Sequence, residues 1–318
     1  MLALGLDTSC YTTSCALCAP GGEPVQARQL LPVPAGERGL RQSEAVFAHV
    51  RQLGEMLPQL MENAPEPVSC VCASAAPRDG EDSYMPVFQV GLSQGRGIAA
   101  ALGVPFFSTT HQRGHLAAAL YGSGLREKSF LALHLSGGTT DVLLARGEEI
   151  TLLGTSLDLH AGQLVDRIGV KMGLPFPAGP FLEELARKGV CGNAVPVSME
   201  GLSCHLSGAE ARLLRMLDAG ERKENAAAEV YGVLCRTVLR LLEAAADETG
   251  VSDALLFGGV ISSALLREML LDRNEKRRTG LKMHFGRKEY SGDNAVGVAL
   301  IGLQRLEKEK AHGDFDGR

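Results

Sequence analysis

Apolar residues gather along this chain in two segments that are built alike. One is Leu2-Ala-Leu-Gly-Leu-Asp-Thr-Ser-Cys-Tyr-Thr-Thr-Ser-Cys-Ala-Leu-Cys18. The other is Phe130-Leu-Ala-Leu-His-Leu-Ser-Gly-Gly-Thr-Thr-Asp-Val-Leu-Leu-Ala145. Each reads as an apolar strand, a tight turn of hydroxyl and glycine residues, and a second apolar strand: a hairpin whose turn offers hydroxyls and backbone N–H groups. Two halves that open the same way predict a duplicated α/β fold, with similar lobes at 1–126 and 127–318 around a central cleft.

Between these landmarks the periodicity alternates between helix and strand. An amphipathic helix is expected from Ser43, with Val46, Val50, Leu53, Leu57, Leu60 and Met61 inward. A strand near Val68–Ala73, a loop at Arg78–Ser83, a helix over Ser93–Leu102 and a strand at Val104–Phe107 follow. A helix carrying His111 and His115 then precedes a break at Gly122–Gly124. The second half predicts helices near Gly162–Met172, Pro180–Lys188 and Glu224–Thr249, a strand at Asp253–Phe257 and a last helix over Asn294–Glu309. The tail from Ala311 reads as disordered.

Composition narrows the class. At 318 residues the chain is long for one core and comfortable for two. No apolar run approaches the roughly 20 residues of a membrane helix. The N-terminus meets Asp7 with no basic segment before it, unlike a signal peptide. These features point to the cytoplasm and no membrane partner. Eight scattered cysteines do not make a disulfide scaffold. Cys15 and Cys18 have CxxC spacing, but on a strand residues three apart face opposite ways. Cys70 and Cys72 share one face of a small-residue strand, as core residues would. A net charge of −5 argues against autonomous nucleic-acid binding. RNA contact would then use a partner or a local patch, Arg273, Lys276, Arg277, Arg278, Lys282, Arg287 and Lys288, which equally reads as a solvated helix end and loop.

Five stretches could carry chemistry. In His111-Gln-Arg-Gly-His115 the imidazoles lie at i and i+4 on one helix face, as metal ligands or as a polar surface. Gln112 stands where a zinc peptidase of the HExxH type needs its general base, so that chemistry is disfavoured. The glycines of Leu135-Ser-Gly-Gly-Thr-Thr-Asp141 suit an anion nest or a plain hairpin turn. Leu256-Phe-Gly-Gly-Val260, after a strand, allows close approach of a base or ribose. Asp293, in Ser291-Gly-Asp-Asn-Ala295, is either an N-cap or a carboxylate ligand from the far end of the chain. Asp166, shortly after Gly162, could accept from ribose hydroxyls or be solvated.

Taken in order, the DTSC hairpin, HxxGH helix, SGGxT hairpin, LD…AGxxxD, FPAGP, SG, GGV and DNA segments resemble the TsaD family, also called Gcp or glycoprotease-like, from about Leu4 to Leu303. The resemblance implies the ASKHA fold of actin and sugar kinases. It implies transfer of a threonylcarbamoyl group from threonylcarbamoyl-adenylate to a tRNA adenosine. It implies one divalent metal, iron or zinc, on His111, His115 and Asp293. Ser136, Gly137 and Gly138 would lie by the acyl phosphate. Asp7, Ser9, Asp166, Gly179, Gly258, Gly259 and Ser263 would hold the adenine nucleotide, ATP or the adenylate. A related actin-fold protein or a second copy would be the partner, with tRNA reached through it. The chain departs from the family pattern at Tyr11, Thr12, Thr139, Thr155, Leu159, Gln163, Glu210 and Ser263. Those changes leave room for a divergent, non-catalytic dimerisation partner or scaffold, or for an ATP-fold carbamoyltransferase with another acceptor.

Overall fold

The computed structural model describes residues 1–9, 11–32, 40–80, 83–311 and 313. Cys10, the middle of the Arg78–Ser83 loop and, apart from Ala311 and Gly313, the tail expected to be disordered lie outside the described residues. The chain divides into two compact units, Met1–Tyr121 with Gly292–Arg318, and Gly122–Ser291. This differs from the expected 1–126 and 127–318 division: the last 27 residues, Gly292 to Arg318, group with the first half of the chain.

The first unit contains β1 (Leu2–Ser9), β2 (Thr12–Cys18), β3 (Val25–Leu30), α1 (Gln42–Glu62), β4 (Val68–Ala76), α2 (Phe88–Leu102), β5 (Phe106–Thr110), α3 (His111–Leu120) and the closing helix α9 (Val296–Ala311). Its sheet runs β3-β2-β1-β4-β5. The first hairpin forms as expected, with Asp7 opposite Ser14 and Ser9 opposite Thr12, and β4 joins β1 in parallel. Every residue of β1 and β2 is buried, because helices cover both faces of the sheet. That is why these strands read as apolar runs instead of alternating.

The second unit contains β6 (Ser129–Leu135), β7 (Thr140–Arg146), β8 (Glu149–Thr155), α4 (Ala161–Lys171), α5 (Gly179–Ala186), β9 (Ser198–Glu200), β10 (Ser203–His205), α6 (Ser207–Asp218), α7 (Lys223–Thr249), β11 (Asp253–Phe257), α8 (Ala264–Arg277) and β12 (Lys282–Phe285). Its large sheet runs β12-β11-β6-β7-β8. Numbered within this sheet, the order is the same as in the first, with an antiparallel hairpin and meander on one side and parallel strands on the other. Helix α7 is buried along most of its length and forms the spine of this unit's core.

One local difference, in α1, has a physical cause. Helix α1 buries Ala45, His49, Gln52, Leu53, Met56 and Leu60, while Val50, expected inside, is 45% exposed. The Thr13 hydroxyl on β2 meets His49 Nδ1 at 2.7 Å and Gln52 Oε1 at 2.5 Å. This buried polar contact turns the helix and puts Val50 outside. The CxxC pair lies on β2 as expected. Cys15 packs in the core cluster with Leu4 and Leu53, whereas Cys18 Sγ donates to the Val296 carbonyl on α9. Burial pushes both thiols up to about 12, so neither supplies a thiolate near neutral pH. Cys70 and Cys72 are buried free thiols on β4, packed beside Gly302 of α9.

Helices α3 and α9 approach until their backbones touch. A Cβ on Gly297 would fall on the Gly114 carbonyl oxygen and lie 2.7 Å from the Ala118 nitrogen. One on Gly114 would lie 2.9 Å from Val298 Cγ2. Only glycine fits this crossing without displacing a helix. Gly297→Ala is therefore expected to lower unfolding free energy by about 1–3 kcal/mol, the usual range for overpacking, measurable by urea denaturation. Wild-type stability in this variant would mean the helices are not in backbone contact.

Candidate metal centre and pocket

The α3–α9 contact brings the two ends of the first unit's chemistry together. His111 opens α3 and His115 follows one turn later, on the same face. Thr110 caps this helix by accepting from the Arg113 amide. Asp293 lies just before α9. Asn294, not Asp293, serves the helix start, its side-chain oxygen accepting the Val296 amide at 3.0 Å. Asp293 is thereby left to face the histidines. His111 Nε2 and His115 Nε2 are 3.0 Å apart, and Asp293 Oδ1 lies 3.3 Å from His115 Nε2 and 3.7 Å from His111 Nε2. The three donors lie within 4.8 Å of one another.

The surroundings fit a cation. His111 Nδ1 lies 2.6 Å from Asp7 Oδ2, so its proton points at Asp7 and Nε2 is turned toward His115 and Asp293. A histidine metal ligand is typically oriented in this way by a carboxylate on its other nitrogen. Asp7 is almost wholly buried, and its second oxygen, Oδ1, has no hydrogen-bond partner among the described residues. An unsatisfied buried carboxylate oxygen beside two imidazoles suits a cation and its water. Ser9 Oγ lies 3.5 Å from Asp7 Oδ2. Thr12 donates its hydroxyl to Asp293 Oδ2 at 3.0 Å, which fixes the carboxylate from behind.

Without a metal, the charges inside this cluster are coupled. Burial works against the charged form of His111, but Asp7, and then Asp293, outweigh it and push its pKa up to about 9. Burial likewise opposes ionisation of Asp293, yet the hydrogen bond from His115, the two imidazoles and Thr12 hold it well below the usual carboxylate range.

In the second unit the other predicted residues divide between a turn and a pocket. The turn joins β6 to β7: the Ser136 amide donates to the Thr139 carbonyl at 2.8 Å, leaving Gly137 and Gly138 exposed at its tip. The Gly162 amide at the start of α4 donates to the Ser136 carbonyl, and Ala161 donates to Thr140 Oγ1. Beside this turn is a pocket of about 410 Å³ whose lining includes Gly137, Asp166, Gly179, Gly259 and Ser263. Ser136, Gly138 and Gly258 do not line it. Gly258, with φ of 104°, instead sets the close turn after β11, where a Cβ would meet Leu135 and His134. Asp166 Oδ1 accepts the Ala178 amide at 2.8 Å, and burial raises its pKa. Ser263 caps α8 by accepting from Leu266. Asp7 and Ser9 lie with the candidate metal ligands of the first unit and do not line this pocket.

Nothing in the sequence pattern marks Tyr231 and Lys288 as pocket residues. Tyr231 is hidden in a long apolar helix and is visible only through its hydroxyl, which donates to the Gly179 carbonyl at 3.1 Å. Several departures from the family pattern have local partners. Gln163 Oε1 accepts the His160 amide at the α4 start, Leu159 is core, Thr155 donates to Asp141, and Glu210 pairs with Arg167.

A family model described as TsaD, tRNA N6-adenosine threonylcarbamoyltransferase, matches residues 36–300. A tRNA N6-adenosine threonylcarbamoyltransferase from Methanopyrus kandleri is 29% identical over 311 residues, covering 95% of this chain and 87% of the relative. The structure is similar to that of T. kodakarensis HypF, with a TM-score of 0.64, 16% identity, and coverage of 97% of this chain and 48% of that one. It is also similar to the Clostridium difficile activator of 2-hydroxyisocaproyl-CoA dehydratase with bound ADPNP, with a TM-score of 0.56, 12% identity and 98% coverage of both chains. The fold is thus the actin-like ASKHA fold, as expected.

The coupled charges predict a pH signature for the metal-free protein. The folded pKa of His111 lies above its ordinary 6.5. Its stabilising contribution is therefore full below that value and is lost as pH rises through about 9. Asp293 contributes above the ordinary carboxylate range and loses its contribution as pH falls through its own lower value. Chelator-treated protein should lose Tm between pH 6.5 and 9, and His111→Gln should lose less over that window. Parallel curves would show that His111 is not the source.

Proposed function

This chain belongs to the tRNA N6-adenosine threonylcarbamoyltransferase family, and from that premise we propose that it moves a threonylcarbamoyl group from threonylcarbamoyl-adenylate to the exocyclic amine of a tRNA adenosine. The single observation that carries the reading is the convergence of His111, His115 and Asp293, with Asp7 oriented behind one ligand and Thr12 behind another. A scaffold alone has no use for a buried carboxylate committed to aiming a histidine. This counts against the non-catalytic alternative.

In the reaction the amine nitrogen forms a bond to the carbamoyl carbon, and the bond from that carbon to the adenylate phosphate oxygen breaks. AMP departs with the electron pair, and the amine proton passes to solvent. An iron or zinc ion held by His111 Nε2, His115 Nε2 and Asp293 Oδ1 would supply Lewis acidity. Asp7 keeps the His111 Nδ1 proton in place, so that the imidazole presents a lone pair at Nε2. Gly137 and Gly138 offer backbone N–H groups to negative charge developing at the acyl-phosphate centre, with Ser136 closing their turn. Asp166, through the oxygen not occupied by Ala178, accepts from the ribose. Gly179, Gly259 and Ser263 shape the wall that receives the nucleoside, while Gly258 makes the close turn that precedes Gly259. Ser9 steadies Asp7 at the edge of the cation site.

No helix among the described residues is long and apolar enough to cross a membrane, which suits a reaction on cytoplasmic tRNA. The acidic net charge suits RNA delivery through a partner, a related actin-fold protein or a second copy of this chain.

The test supplies purified protein, a related actin-fold partner, threonylcarbamoyl-adenylate and unmodified tRNA, and detects modified nucleoside by mass spectrometry. Wild type should form product. Asp7→Asn should weaken metal binding about 10- to 100-fold, the usual cost of removing such an orienting partner, and Asp293→Ala should remove both metal and activity. Undiminished transfer by Asp293→Ala, or none by wild type with all components present, would sink the reading.

A further inference from the structure

The basic stretch from Arg273 to Lys288 separates, in the structure, into engaged cations and two, Arg278 and Lys288, that have no ion pair among the described residues. Arg277 pairs with Glu243 at 2.9 Å, Lys276 with Asp272 at 2.8 Å and Lys282 with Asp253 at 3.5 Å. Arg273 donates to Asn193 at 3.2 Å. Arg287 lies over the Tyr290 ring at 5.2 Å and pairs with Glu289 at 3.6 Å. Lys288 has no carboxylate in ion-pair contact among the described residues. It does line the second unit's pocket.

The backbone that presents Lys288 is fixed on both sides. The Gly286 amide donates to Leu256 at the end of β11, and Lys288 opens a single 3-10 turn ending at buried Tyr290. Ser291 Oγ donates to the Arg287 carbonyl at 3.0 Å. The long side chain is exposed at its pocket edge, and it is the single cation among the described residues lining the pocket. The two carboxylates there have other partners. Glu183 accepts from the Leu265 amide at 2.8 Å and from Arg187 at 3.1 Å, and Asp166 accepts from Ala178.

We propose that Lys288 is an anion-recognition residue of this pocket, pairing with the phosphate of a bound adenine nucleotide. The proposal rests on the adenine-nucleotide reading of the pocket given above. Adenosine is uncharged at neutral pH, so the phosphate is the part of the nucleotide that an unpaired cation can select. A lysine ammonium acts here as a mobile point charge, needing no fixed fork geometry. Lys288 thus makes the pocket prefer the charged nucleotide over the free nucleoside, a distinction that glycines, prolines and a neutral Ser263 cannot draw by charge.

The test is calorimetric titration of the full-length protein with adenosine, AMP and ATP, in wild type, Lys288→Ala and Lys288→Arg. AMP affinity should fall roughly 3- to 30-fold in Lys288→Ala, spanning exposed ion pairs and charged hydrogen bonds. Adenosine affinity should be unchanged, and Lys288→Arg should stay near wild type for AMP. Added salt should weaken AMP binding less in Lys288→Ala than in wild type. An equal loss for adenosine and AMP, or unchanged AMP binding, overturns the role of Lys288 while leaving the pocket assignment standing. If wild type binds none of the three, the adenine-nucleotide reading falls, and this inference with it.

Discussion

Everything in the candidate metal site depends on how closely α3 can lie against α9. The ligands come from opposite ends of the first unit's sequence, and only helix packing relates them. Two glycines, Gly114 and Gly297, remove the side chains that would otherwise keep the helix axes apart. Gly114 stands between His111 and His115, so the residue that permits contact belongs to the same turn as the ligands. Asn294 takes over the start of α9, which leaves the neighbouring carboxylate free of capping duty. Packing and chemistry are thus set by adjacent residues on both helices.

The site is built outward from that contact. Asp7, from the central strand β1, reaches His111, and Thr12, from the next strand of the same hairpin, reaches Asp293. A hairpin buried on both faces makes a rigid base for such contacts, since its position is determined by the sheet register and by helices on either side. The second unit repeats the strand order and the opening hairpin but puts them to another purpose. Its hairpin turn carries two exposed glycines, and its helices wall a pocket. One architecture, used twice, supplies a candidate cation site in one unit and a pocket in the other.

Much of this was legible in the residues. Both hairpins, the paired histidines on α3 and the long α7 carry strong local patterns, because apolar runs and an i, i+4 spacing leave a direct trace. The edge strands β3 and β8 were not legible. Val25-Gln-Ala-Arg-Gln-Leu30 is mostly exposed or half-exposed, so no apolar alternation betrays it. Helix α8 was also hidden, since Leu266 and Leu270 alone among its residues are buried and its charges read as a solvated end. The inward face of α1 departs from its apolar pattern at Val50, because Thr13 draws His49 and Gln52 inside. No scale that ranks residues by apolarity anticipates that choice. Asp7 was singled out by the resemblance as a nucleotide contact. Its bond to His111 depends on a tertiary approach that spacing along the chain does not encode.

On the reading proposed above, His111, His115 and Asp293 hold one divalent ion within the first unit. Anomalous diffraction from crystals of the native protein, collected on both sides of the iron and zinc absorption edges, tests it most directly. One peak is expected at coordination distance, about 2.0–2.2 Å, from His111 Nε2, His115 Nε2 and an Asp293 oxygen. A metal peak bound elsewhere, or ordered metal-free side chains in crystals soaked with either ion, would contradict it.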